Sequence, residues 1–155
     1  MRVLLRDVLA ALGVSHIREA DDGSHAFEIM ADADSPFVAD LVLCDQLMEP
    51  MDGLTFVRRL RQSPASPNPY AAVIMVTAYT DIELVAKARD AGVNDFLAKP
   101  ISARTLYSHI ADCVTASRQF VRTPDYFGPD RRRRDLVYDV AKRRDDVDYA
   151  VAQQA

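Results

Sequence analysis

The chain has 155 residues, 49% apolar and 27% charged, which suits one ordinary domain with a sizeable core and excludes a disordered or fibrous chain. No apolar run approaches the roughly 18 residues that span a bilayer, and the first residues lack a signal-peptide pattern, so a cytoplasmic protein without a membrane partner is expected. The net charge of −4 divides unevenly: residues 1–117 hold 10 basic and 16 acidic side chains, residues 118–155 hold 9 basic and 7 acidic ones.

In chain order, Val3, Leu4, Val8, Leu9 and Leu12 recur at helical spacing and predict a helix over residues 2–12, with Gly13 as its stop. A short strand is predicted at residues 16–20, closed by the turn dipeptide Asp22-Gly23. Ser24 is then placed to cap a helix carrying Ala26, Phe27, Ile29 and Met30. Residues 40–45, Asp-Leu-Val-Leu-Cys-Asp, form an apolar run ending in an acid, as a strand buried on both faces would. Leu54, Val57 and Leu60 mark the next helix, and residues 63–69 are a proline-rich loop. Buried strands are predicted at 71–77 and 95–98, with a helix over 82–91 between them that stops at Gly92. A long final helix is predicted from Ser102 to about Gln119. Short apolar strands alternating with helices predict an α/β fold with a parallel sheet, and the order begins with a helix where a strand normally comes first. The compositional shift near Ser117 sets the expected division: a body over 1–118 and an arginine-rich extension over 119–155. Cys44 and Cys113 are too few for a metal cluster and are expected to be reduced, small and buried.

Three strand ends supply Asp45, Thr77 and Lys99. Ligands of an open parallel sheet bind in the crevice beyond the carboxyl ends of its strands. An acid, a hydroxyl and an ammonium meeting there suit an acyl phosphate: the carboxylate is the nucleophile, the hydroxyl donates to a phosphoryl oxygen and the ammonium answers the added charge. Taken singly, Asp45 reads as a helix cap, Thr77 as a strand former, Lys99 as a solvated end and Phe96 as a core aromatic. Their order and spacing, 32 residues from Asp45 to Thr77 and 22 from Thr77 to Lys99, carry the functional reading. His16, His25 and His109 have no acid or cysteine partner at catalytic spacing and are expected to be surface or satisfied structural residues.

The segments Asp-Leu-Val-Leu-Cys-Asp45-Gln-Leu-Met-Glu-Pro-Met-Asp-Gly53, Val-Ile-Met-Val-Thr77-Ala78 and Asp95-Phe96-Leu-Ala-Lys99-Pro100 resemble those of the receiver domain of bacterial two-component response regulators, the CheY-like family. The resemblance covers roughly residues 1–118. It implies a flavodoxin-like, doubly wound parallel sheet of order 2-1-3-4-5 whose first strand is missing from this chain. It further implies that Asp45 accepts phosphate from a histidine kinase or phosphotransfer protein, that Thr77 and Ala78 contact the phosphate and Lys99 pairs with it, and that Phe96 is the switch aromatic. The Lys99-Pro100 bond is where the family tends to hold a cis peptide. Conformational switching would then signal to a downstream protein target.

The family binds Mg²⁺ with an acidic pair after its first strand, and that pair is absent here. Asp45 and the Leu47 backbone carbonyl remain as family metal contacts, so Mg²⁺ binding is expected to be weakened. Asp21 and Asp22 follow the second strand in a turn and are not expected to replace the pair. The missing interior strand is expected to lie upstream of Met1, with Leu136-Val-Tyr-Asp-Val140 as the alternative filler.

In the extension, Arg131, Arg132, Arg133 and Arg134 suit an anionic nucleotide, since guanidinium planes stack on bases and grip phosphates bidentately. The run resembles, more weakly, the extension of CheY-like proteins that bind cyclic di-GMP, which makes a cyclic di-GMP-binding adaptor the alternative function. The plainer reading is a solvated tail whose arginines pair with neighbouring aspartates. Duplex DNA is not an expected partner, because no helix-turn-helix pattern provides a reading head. An enzyme is not expected either. Haloacid-dehalogenase phosphatases also form an aspartyl phosphate but need a second acid two residues on, where this chain has Leu47.

Overall fold

The computed structural model describes residues 2–34, 37–78, 82–115 and 118–131. Its centre is a parallel sheet of β1 (Leu41–Asp45), β2 (Ala72–Thr77) and β3 (Asp95–Ala98), in the order β1-β2-β3. The helices are α1 (Arg2–Ala11), α2 (Gly23–Ala31), α3 (Gly53–Gln62), α4 (Ile82–Ala91) and α5 (Ala103–Thr115). An antiparallel hairpin of β4 (Phe120–Thr123) and β5 (Tyr126–Pro129) follows.

Alternation along β2 divides the core. Val73 and Met75 face α2, α3 and α4 in one layer with Phe27, Met30, Leu54, Phe56, Val57, Leu60, Ala88 and Ala91. Ile74 and Val76 face the other way, toward Leu106 of α5, with Leu5 and Val8 of α1 packed alongside. Because β2 is covered on both faces, its run Ala-Val-Ile-Met-Val-Thr is apolar throughout instead of alternating with polar residues. Among the described residues no helix is long and apolar enough to cross a membrane.

Three sequence expectations change. Residues 16–20 form no strand, so among the described residues the sheet has three strands where four were expected. That segment and β1 flank a cavity of about 610 Å³, lined also by Leu5 and Leu9 of α1 and Met30 of α2. With this space between them they cannot share ladder hydrogen bonds, and an extended segment without a neighbour does not become a strand. Asp22, not Ser24, caps α2: its carboxylate accepts from the backbone N–H of Ser24 at 2.6 Å and of His25 at 3.3 Å. The final helix ends at Thr115 rather than near Gln119, and Phe120 already belongs to the hairpin. Arg132, Arg133, Arg134 and the 136–140 segment lie outside the described residues.

Candidate functional site at the carboxyl end of the sheet

Asp45 is the last residue of β1, in register with Val76, and Thr77 closes β2 one step further. Lys99 directly follows β3, and its backbone N–H donates to the Thr77 carbonyl at 2.9 Å, carrying the β2–β3 pairing past the end of the strand. The Lys99 ammonium donates to Asp45 Oδ2 in a short ion pair. The other carboxylate oxygen, Oδ1, accepts the Leu47 backbone N–H at 3.3 Å. The Asp45 side chain is 37% exposed and that of Lys99 23%, so the pair is open to a reagent yet partly shielded from water.

The turn after β1 is built to hold this acid in place. Gly53 lies so close to β1 that a Cβ on it would stand 2.3 Å from the Asp45 carbonyl oxygen. Its N–H donates to the Gln46 carbonyl at 3.1 Å, and Asp52 caps α3 by accepting the Thr55 N–H at 2.7 Å. The chain thus leaves Asp45, turns through residues 46–52 and enters α3 against the same strand end.

Thr77 is 1% exposed, whereas Ala78 just beyond it is exposed. Phe96 stands in register with Met75 and packs, partly buried, against the layer of α2, α3 and α4. Next to it, His109 of α5 meets Asp95 of β3 at 2.7 Å, a tie that spacing along the chain did not reveal. The Cys44 thiol is pushed up to about 12, by burial first and then by the nearby charges of Asp45 and Asp52. It therefore stays protonated near neutrality and is no nucleophile. Both cysteines are free, Cys44 buried and Cys113 partly so.

Among the described residues, the donors around Asp45 do not make a self-sufficient Mg²⁺ site. Among the described residues no cluster of three His, Cys, Asp or Glu could hold a metal. Asp45 is already engaged by Lys99, and Leu47 would contribute only its backbone carbonyl. Asp22 is spent on capping α2, and Asp21 pairs with Arg2, whose hydrogen bond holds the Asp21 carboxyl below its ordinary range. The Lys99-Pro100 peptide is cis, as is Glu49-Pro50.

Arg131 lies away from Asp45. It stacks 3.8 Å over the ring of Tyr126 and pairs with Asp90 at 2.8 Å, beside the chain that leads into β3. Sequence reasoning also missed Arg61, which is 2% exposed beneath the hairpin. Its signal was faint: one arginine on the apolar side of α3, followed by a second aromatic-rich segment around the Pro124-Asp125 turn.

The site can hold a carboxylate nucleophile beside a cation, at the end of a sheet where a hydroxyl-bearing residue also terminates. Comparison with known proteins places the chain within a family. The response regulator receiver domain family matches residues 1–111. A probable chemotaxis protein CheY of Rhizobium etli is 36% identical over 109 residues, 70% of this chain and 80% of the relative. A putative response regulator from Chloroflexus aurantiacus superposes with a TM-score of 0.62 at 30% identity, covering 72% of this chain and 85% of that one. A CheX–CheY–BeF3–Mg²⁺ complex from Borrelia burgdorferi shares the fold at a TM-score of 0.60 and 23% identity, covering 72% and 79% of the two chains.

Proposed function

This chain belongs to the CheY-like response regulator receiver domain family, and we propose on that footing that Asp45 is its phosphoacceptor. The observation that carries the reading is the Asp45–Lys99 ion pair at the carboxyl end of the parallel sheet. A carboxylate oxygen of Asp45 attacks the phosphorus of a phosphohistidine on a kinase or phosphotransfer protein; the P–N bond breaks, imidazole leaves and an acyl phosphate forms. The product adds about −1.5 to −2 charges where a carboxylate stood, and Lys99 is already in reach to pair with them. The Thr77 hydroxyl and the Ala78 backbone answer the phosphoryl oxygens.

The acyl phosphate then biases a two-state equilibrium in the face formed by α4, β3 and α5, which a protein partner reads. Ile82, Val85 and Tyr107 already expose apolar surface on these helices. The chain acts as a signal carrier and turns over no external substrate, since Leu47 cannot protonate a leaving group as a second acid would. The Borrelia burgdorferi complex holds BeF3 and Mg²⁺. This chain's own donors, one paired carboxylate and a carbonyl, contribute little to such an ion.

Labelling with a small phosphodonor such as acetyl phosphate, followed by intact-mass analysis, decides the assignment. Asp45→Asn is expected to reduce the added 80 Da mass (one phosphoryl group, about that size) to background. Labelling that persists on this variant would move the acceptor to another residue.

A further inference from the structure

The two ends of α4 are held very differently. Its buried positions are Ala88 and Ala91, both in the second half, while Ile82 at the start is 88% exposed. Where the helix ends, five features converge. Gly92, at φ +99°, turns the chain out of α4, and a Cβ there would lie 3.1 Å from Arg61 Cγ and 3.2 Å from the Phe127 carbonyl oxygen. Gly128 packs from the hairpin side, where a Cβ would meet the Tyr126 hydroxyl at 2.6 Å and Gly92 Cα at 3.0 Å. Arg61 donates to the Gly92 carbonyl from Nε at 3.1 Å and Nη2 at 3.0 Å, to the Pro69 carbonyl at 2.7 Å and to Asn94 Oδ1 at 3.0 Å. Its guanidinium lies 5.1 Å from the centre of the Phe120 ring, and Phe120, Phe127 and Tyr70 pack ring against ring. Arg131 closes the arrangement by stacking on Tyr126 and pairing with Asp90 in the last turn of α4.

Every residue of β5 is buried, and the segment contacts both α3 and α4. A solvated tail would bury none of this. We propose that the 118–131 hairpin is a strap that clamps the C-terminal end of α4 onto α3, with Gly92 as the fixed pivot, so that any displacement of α4 is confined to its N-terminal half. The clamp does not depend on Asp45 being the phosphoacceptor.

Hydrogen exchange followed by mass spectrometry on the full chain, its Gly128→Val variant and its Arg131→Ala variant reads the clamp directly. The valine side chain cannot fit against Tyr126 and Gly92, so the hairpin is expelled. Amides in the second half of α4 are then expected to exchange about tenfold faster while those of β1 and β2 keep their rates. Arg131→Ala removes one exposed stacking and ion-pair contact and is expected to give about a threefold increase at the same amides. Unchanged α4 exchange in Gly128→Val, with or without faster exchange in the hairpin, overturns the proposal. So does β2 exchange that accelerates in step with α4, which would make the hairpin a support of the whole domain. Arg131 is exposed, so its substitution leaves the buried packing in place, and unchanged α4 rates there also count against the clamp.

Discussion

Asp45 and Lys99 are 54 residues apart in the chain and in contact in space, a juxtaposition that three strand-end motifs in order made readable before any coordinates. What those motifs could not supply is how each group is held. The contact between Gly53 and the Asp45 carbonyl, and the tie between His109 and Asp95, arise from tertiary packing between segments with no mutual signal in sequence. Arg61 is the sharper case, since an arginine on a helix is normally a solvated residue, yet here the hairpin covers it. Its buried charge meets carbonyl and amide oxygens, and burial pulls its pKa down to about 10. Cys44 gives a measurable consequence at this scale. Its folded pKa of about 12 lies above the ordinary 9.0, so the fold favours the neutral thiol. That contribution is complete below pH 9 and is lost as pH rises from 9 toward 12. Urea unfolding at pH 8, 10 and 11 is expected to show a midpoint that falls with pH, and Cys44→Ala to flatten the fall by an amount on the order of a few kcal/mol.

Elements with strong periodicity or long apolar runs were legible: α3 from Leu54, Val57 and Leu60, and the three strands from their continuous apolar content. Residues 16–20 show why local pattern alone is insufficient. Their composition permits a strand, but a strand exists only when a neighbour supplies the other half of each hydrogen bond. The hairpin failed in the opposite direction, because four-residue strands carry too little periodicity to stand out within an extension whose charge reads as a solvated tail. The junction of β1 with α3 yields a prediction that couples folding to function. In Gly53→Ala the new methyl meets backbone rather than a flexible side chain, so the strand end or the helix must move. We expect a loss of about 1–3 kcal/mol in stability by thermal unfolding. Phosphodonor labelling of the folded fraction should slow as well, because the shift displaces Asp45 from Lys99.

At the scale of the molecule, parallel strands give the sheet two unlike ends. Asp45, Thr77 and Lys99 gather at the carboxyl end, while Tyr70 and Gly92, which precede β2 and β3, meet the hairpin at the other. The family match ends at residue 111, before the hairpin begins. A chain ending after Arg131 therefore keeps both the acid–ammonium site and the strap, and is expected to label with acetyl phosphate at an unchanged rate. Measuring the two rates side by side checks this, and a severalfold drop would implicate residues 132–155 in the chemistry.

The exposed tip of the hairpin at Thr123, Pro124 and Asp125 consequently offers a handle for spectroscopy. A dye attached there, or a bead tethered there for single-molecule work, would stand at the opposite pole from the Asp45 carboxylate while being coupled mechanically to the root of α4. Such a reporter could follow events at one pole from the other without crowding the docking of a phosphate donor.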